Sequence, residues 1–260
     1  MSSPPSVFIT GASSGIGLEL AKLFARDGYR LLITARKSDR FDSAATDLRS
    51  LAKAGVEPIP DDLADPSAPT RLAKELADRN VVPDVLVNNA GFGTHGPFVE
   101  SDEQSQLQML QVNVVALTHL TRLLLPGMVA RGSGRILNVA STAAFQPGPY
   151  MAVYYASKSY VTSFSQALGY ELRRSGITVT ALCPGPTTTD FQHRAGVEDS
   201  PLFQHNTMMG AEVARLGYLA MQRGKPIAIT GTKNRLLAMA GKFAPSSLTT
   251  RVAGRLNAGR

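Results

Sequence analysis

Short apolar runs rich in β-branched residues alternate along the chain with longer segments in which apolar positions recur every three to four residues. The runs predict strands over residues 7–10, 30–34, 56–60, 85–88, 135–139, 177–182 and 227–230, and the periodic segments predict helices over 15–27, 41–54, 66–79, 103–125, 152–174 and 210–223. That alternation is the pattern of βαβ units and a parallel sheet. The strands are apolar on both sides, so helices must cover both faces. The expected fold is α/β: a single doubly wound domain, a seven-stranded parallel sheet with helices on both faces. No Gly/Ser/Pro linker divides it. Two stretches break the alternation. Residues 186–209 form a long strand-to-helix connection, of a length that is usually functional. Residues 231–260 form a C-terminal extension expected to pack on or beside the domain of residues 1–230. An open sheet of this kind takes its ligand at the carboxyl ends of the strands.

Directly after the first strand comes Thr10-Gly11-Ala12-Ser13-Ser14-Gly15-Ile16-Gly17, followed by helical periodicity. Glycines here permit positive φ and let backbone N–H groups approach a diphosphate held on the positive end of the helix. Strand before and helix after is the context of a Rossmann dinucleotide fingerprint. The spacing is G-x-x-x-G-x-G rather than G-x-G-x-x-G. Further on stand Asn88-Asn89-Ala90-Gly91, Asn113, Ser141, Tyr154-x-x-x-Lys158 and Pro184-Gly185. In order and separation these motifs resemble the classical subgroup of the short-chain dehydrogenase/reductase family. Within it the wording looks most like the branch of bacterial oxidoreductases and of 3-ketoacyl and 17β-hydroxysteroid reductases.

The resemblance implies an enzyme that moves a hydride reversibly between a nicotinamide and a carbonyl or secondary alcohol. Tyr154 and Lys158 are four apart on one predicted helix and share a face. A phenol titrates near pH 10, and a neighbouring ammonium, assisted by the positive charge of an oxidised nicotinamide, favours its phenolate. In the family the tyrosine is the acid and base, the lysine tunes it and binds the ribose, Ser141 bonds the substrate oxygen, and Asn113 places a water for a proton relay. Asn113 falls in mid-helix, where Asn is unfavourable unless its side chain or a distorted turn has a purpose. Tyr155 and Thr142 compete for two of these roles, each one residue off the family spacing.

For the cofactor, the resemblance implies Gly11, Ser13, Ser14, Gly15, Ile16 and Gly17 at the diphosphate, and Tyr154 and Lys158 at the nicotinamide ribose. It places Asn89, Ala90 and Gly91 beside the cofactor, and Pro184, Gly185, Thr187 and Thr189 along the carboxamide. The second strand ends in Thr34-Ala35-Arg36-Lys37. No carboxylate stands where an NAD site keeps one, and two cations match a 2′-phosphate, so NADP(H) is favoured over NAD(H). Asp39 lies a little further on. Asp62 and Leu63 resemble the pair that holds the adenine, with Asp61 leaving the register open.

The net charge of +7 suggests a polyanion partner until it is divided. Residues 1–212 hold 18 Lys+Arg against 20 Asp+Glu, whereas residues 213–260 hold 9 and none. The excess belongs to the tail, and no aromatic platform or recognition motif supports nucleic-acid binding. One cysteine, Cys183, excludes a disulfide framework and suits the cytoplasm. The four histidines lack ligand spacing, so no metal is expected. The first six residues do not read as a secretory signal. The stretch 112–130, interrupted by Asn113, His119, Arg122 and Pro126, is read as no membrane span.

The connection 186–209 carries Phe191, Val197, Leu202, Phe203, Met208 and Met209, and reads as a lid over a largely apolar pocket for a lipophilic ketone or 3-ketoacyl-type substrate. His193 or His205 would meet a polar substrate group. A homo-dimer or homo-tetramer is expected. The basic tail has two readings: a lid or dimerisation element of the enzyme, or an anchor on anionic lipid or an acidic partner with redox catalysis secondary.

Overall fold

The computed structural model describes residues 3–197 and 207–258. Its first half alternates β1 (Ser6–Thr10), α1 (Gly15–Arg26), β2 (Arg30–Thr34), α2 (Asp39–Leu51), β3 (Val56–Pro58), α3 (Ala68–Asp78) and β4 (Val85–Asn88). A long helix follows in two parts, α4 (Glu103–Leu110) and α5 (Leu117–Arg131), then β5 (Gly134–Val139), α6 (Ala152–Glu171) and β6 (Ile177–Cys183). The seven main strands are parallel in the order β3-β2-β1-β4-β5-β6-β9, with β9 at Ile227–Ile229. The order reverses between β1 and β4, which opens a crevice at their carboxyl ends.

Two apolar layers hold helices on the two faces, as the uniformly apolar strands require. Leu20 and Phe24 of α1 and Phe41 and Leu48 of α2 pack on Val7, Ile9, Leu31 and Ile33. On the opposite face Leu72 of α3, Leu120 of α5 and Leu168 of α6 pack on Phe8, Leu32, Leu86 and Ile136. Helix α2 begins two residues earlier than its apolar period suggests. Ser38 caps it, its hydroxyl accepting from the Phe41 N–H at 3.3 Å.

The helical run Glu103–Arg131 departs from expectation. It continues through Pro126, which removes one backbone donor without ending the helix. One 18-residue window within it has a mean hydropathy of 1.4, enough to cross a membrane by length and composition alone. It is nonetheless a core helix: Met109, Leu117, Leu120, Leu124 and Met128 are buried in the domain. Asn113 and Thr121 do not interrupt that face, because each is buried with hydrogen-bond partners.

Beyond β6, the connection is pinned at its base by a two-stranded parallel ribbon of β7 (Thr187–Thr188) and β8 (Met208–Met209), pairing Thr187 with Met208. Between them lies α7 (Phe191–Ala195). Leu202, Phe203 and His205 lie outside the described residues. Helix α8 (Gly210–Gln222) leads to β9, and the tail forms α9 (Thr232–Phe243) and α10 (Ser246–Asn257).

Candidate active site

The glycine turn is built by its neighbours on β4. Gly11 and Gly15 adopt φ of +68° and +55°, and a Cβ on Gly11 would stand 2.8 Å from Asn89 Nδ2 and 2.9 Å from Ala90 Cα. Thr10 Oγ1 accepts from the N–H groups of Asn89 and Ala90 at 3.0 Å, while Asn89 Nδ2 donates to the carbonyls of Thr10 at 2.9 Å and Gly11 at 3.0 Å. The result is an open helix N-terminus, with Gly11, Ser13, Ser14, Gly15 and Ile16 lining a cavity of about 1510 Å³. Gly17 does not line it. A Cβ there would meet Asn89 Nδ2 and the Gly11 carbonyl, so this glycine serves the close packing of helix on strand rather than a ligand.

Arg36 and Lys37 line the same cavity. Lys37 is engaged by Asp42 at 2.9 Å, whereas among the described residues Arg36 has no carboxylate partner. Arg40 of α2 also lines the cavity and is ion-paired with Asp190 of the loop between β7 and α7. Neither residue carries a signal in the sequence, since an arginine in a first helical turn reads as a solvated face. Beyond β3 the structure separates the two candidate acids. Arg71 takes both oxygens of Asp61, at 2.6 and 3.1 Å, while among the described residues the Asp62 side chain accepts from the Ala64 N–H alone. Asp62 and Leu63 line the cavity.

Three of the four candidate catalytic side chains meet at one wall. Ser141, just beyond β5, accepts from the Ala143 N–H at 3.1 Å and stands close enough to the Tyr154 phenol to favour its ionised form. Lys158 Nζ lies 5.8 Å from the Tyr154 ring centroid and donates to the Val139 carbonyl at 2.9 Å. Burial pushes the Tyr154 phenol up to about 12, with the Ser141 hydrogen bond opposing. Burial likewise pulls the Lys158 ammonium down to about 8. The sequence reading expects the lysine to favour the phenolate together with the charge of an oxidised nicotinamide; for the chain by itself the balance runs the other way. In the folded chain desolvation wins, because the phenolate would be buried and the lysine's nearest polar contact is a carbonyl rather than the phenol.

The neighbouring Tyr155 is occupied elsewhere: its hydroxyl meets the Asn257 side chain, and Gly148 lies against its ring.

Asn113 stands behind this wall, not on it. It sits in a π turn, Gln111–Ala116, the distorted turn that a mid-helix Asn calls for. Its Oδ1 accepts from the Phe92 N–H at 3.1 Å, and its Nδ2 donates to the Phe92 carbonyl at 2.9 Å and to Ser157 Oγ at 3.1 Å. Gly91 lets this cluster close, since a Cβ there would be 2.9 Å from Asn113 Oδ1 and 3.4 Å from Lys158 Nζ. Below it, Asn88 Nδ2 donates to Asn138 Oδ1 at 2.9 Å and Asn138 Nδ2 donates to Ser165 Oγ at 2.9 Å, tying β4, β5 and α6 together.

The far end of the cavity belongs to the tail. Asn257 is 2% exposed in a segment that is otherwise largely exposed. Its Nδ2 donates to the Pro149 carbonyl at 3.0 Å and to the Tyr155 hydroxyl at 3.3 Å, and its own carbonyl accepts from His95 Nε2. Tyr150, beside Pro149, is held at φ +66° with its carbonyl accepting from the Gly96 N–H at 2.9 Å. Asn257 thus fastens α10 to the loop after β4, the loop before α6, and α6 itself. Asn234 of α9 presses on Gly185, and a Cβ on that glycine would strike its side chain. Pro184, Gly185, Thr187 and Thr189 all line the cavity; His193 is exposed and does not.

Residues 5–199 match the model of the short chain dehydrogenase family. A protein of Streptomyces coelicolor named as a ketoacyl reductase is 40% identical over 181 residues, which is 68% of each chain. A solved short-chain dehydrogenase from Sphingobium yanoikuyae, in complex with NADPH, superposes with a TM-score of 0.82 at 34% identity, covering 91% of this chain and 92% of its own. The bulky-bulky ketone specific alcohol dehydrogenase from Comamonas testosteroni does so with a TM-score of 0.78 at 30% identity, covering 92% of each chain. Motifs, cavity and fold agree with these relatives: the chain belongs to the short-chain dehydrogenase family and is a nicotinamide-dependent oxidoreductase acting on a carbonyl or an alcohol.

Proposed function

We propose that the protein is an NADP(H)-dependent reductase of a lipophilic ketone or 3-ketoacyl-type substrate. One observation carries this reading: Tyr154, Ser141 and Lys158 share the wall of a cavity that begins at the glycine turn and ends among Phe92, Met151, Val197, Leu237, Val252 and Leu256. The open N-terminus of α1, reached through Gly11 and Gly15 at positive φ, and the exposed carboxylate of Asp62 fit a dinucleotide laid along it. Bound there, the nicotinamide supplies or takes up the hydride. The rest is done by side chains. Tyr154 gives its proton to the substrate oxygen, Ser141 donates to the same oxygen as charge grows on it, and Lys158 steadies the resulting phenolate and holds the ribose. Asn113, behind the wall, holds the Phe92 backbone and Ser157 in place beside Lys158.

The NADP(H) preference rests on Arg36, placed to pair with a 2′-phosphate, and it is supported by the NADPH in the Sphingobium yanoikuyae relative. A charge-assisted hydrogen bond contributes about 1.5–3 kcal/mol. Arg36→Ala therefore lowers kcat/KM for NADPH roughly 10- to 100-fold and leaves that for NADH within about threefold. Initial rates of nicotinamide oxidation over a panel of ketones and 3-ketoacyl thioesters measure this. A wild type that prefers NADH refutes the role of Arg36.

Asn257 is a positioning residue in this reading. Asn257→Ala removes two side-chain hydrogen bonds that hold α10 over the cavity, at roughly 1–3 kcal/mol. The expected result is a KM for a bulky ketone raised about tenfold with the KM for NADPH unchanged. Equal loss on both would place the residue in general stability instead.

Self-association fits the exposed Leu107, Leu110, Val115, Leu123 and Val129 along α4 and α5, beside Tyr160 and Tyr170 of α6. The buried Cys183 suits the cytoplasm.

A further inference from the structure

We propose that the outer ridge of α9 is a docking surface for an anionic lipid bilayer. Leu236, Met239 and Phe243 stand at i, i+3 and i+7 of α9, on one side of the helix, and are 64%, 50% and 87% exposed. None of the three lines the cavity. Leu237, Leu248 and Val252 do line it and are themselves about half exposed at its mouth. Apolar surface therefore continues from the ridge into the cavity. A contiguous exposed patch of this kind marks an interaction site.

Charge selects the occupant. Lys233 and Arg235 on α9 and Arg251 and Arg255 on α10 are exposed, and no Asp or Glu occurs anywhere from residue 213 to 260. An apolar ridge bordered by cations on a surface helix is the composition of an interfacial helix. An anionic bilayer supplies both the apolar phase and the counter-charge. A second copy of the tail would set cations against cations. The other exposed apolar face, along α4 and α5, is bordered by charges of both signs, including Asp102, Glu103 and Arg122, and suits contact between copies better. Docking through α9 would bring the cavity mouth to the membrane, where a long apolar ketone resides. That consequence rests on the reductase reading; the docking does not.

Co-sedimentation of the full chain with vesicles tests the proposal, using phosphatidylcholine alone and phosphatidylcholine mixed with phosphatidylglycerol. Binding should be at least about tenfold stronger to the anionic vesicles and should weaken as salt is raised. The triple variant Leu236→Ser, Met239→Ser, Phe243→Ser should lose about tenfold or more of that binding. It should keep wild-type NADPH fluorescence and wild-type turnover of a water-soluble ketone. The idea fails if the wild type stays in solution with anionic vesicles at low salt, or if the triple variant binds as well as the wild type. It fails equally if light scattering shows that the variant has fallen to a smaller oligomer, because the ridge is then a contact between copies. NADPH fluorescence reports folding whether or not any ketone is turned over, so failure of docking and failure of the reductase reading are separable.

Discussion

Tyr154→Phe lowers kcat for ketone reduction roughly 10³-fold while leaving NADPH binding and thermal stability near those of the wild type. The substitution deletes one hydroxyl. The ring stays packed on Phe191, at 5.2 Å between centroids. Among the described residues lining the catalytic wall no other group is placed to replace the donor: the Tyr155 hydroxyl is held by Asn257, and the Ser141 hydroxyl does not titrate usefully. Burial holds the Tyr154 phenol near 12, so the donor stays loaded throughout the neutral range and reduction should be nearly flat with pH there. Alcohol oxidation needs the phenolate and should accelerate as pH rises. Both rates are read from nicotinamide absorbance. Undiminished turnover in the variant would assign the acid to another residue.

Lys158→Met should abolish turnover yet stabilise the cofactor-free protein at pH 7 by about 2 kcal/mol. In the folded chain burial holds the ammonium at about 8, against 10.5 for a free lysine. The folded state therefore releases the proton more readily than the unfolded state, which means that keeping it charged costs stability. At pH 7 both states are charged and the full cost is present, about 3 kcal/mol from that difference. As pH rises from about 8 to 10.5 the unfolded state binds more protons, and wild-type stability climbs until the cost is gone. Methionine removes the charge but leaves the Val139 carbonyl without its donor, which returns about 1 kcal/mol. Urea denaturation at pH 7 and at pH 10 should show the variant's advantage at the first and little of it at the second. A variant less stable than wild type at pH 7 would mean that Lys158 is not desolvated as described.

How much of this was readable from the chain depends on how local each cause is. The sheet was legible because its strands are apolar without interruption and sit between turns, and the glycine turn because Gly11 and Gly15 need conformations other residues avoid. Ser141, Tyr154 and Lys158 were legible as a spaced pattern. The Asn257 latch was not, since its partners His95 and Tyr155 lie 162 and 102 residues away and no local rule connects them. The pair of Arg40 and Asp190 escaped for the same reason. The upward pull of burial on the Tyr154 phenol escaped because burial is a property of the assembled core, and spacing along a helix reports only the neighbour. Gly17 was assigned to the ligand because its motif is contiguous with residues that do reach the cavity, although packing against Asn89 accounts for it.

The π turn at Gln111–Ala116 has a consequence for the length of the chain rather than its composition. A turn of this kind accommodates one residue more than an α-helix of the same rise, and each residue of an α-helix turns the chain by about 100°. Deleting a single residue there would let the helix close into regular geometry with α4 and α5 still in phase, because the wide turn has already absorbed the extra residue. Met109 would keep its place in the core, but Asn113 would lose the bulged position that sets it against Phe92 and Ser157. The segment should tolerate many substitutions and almost no change of length, so in any engineered or evolved relative its residue count is a better mark of an intact site than its letters.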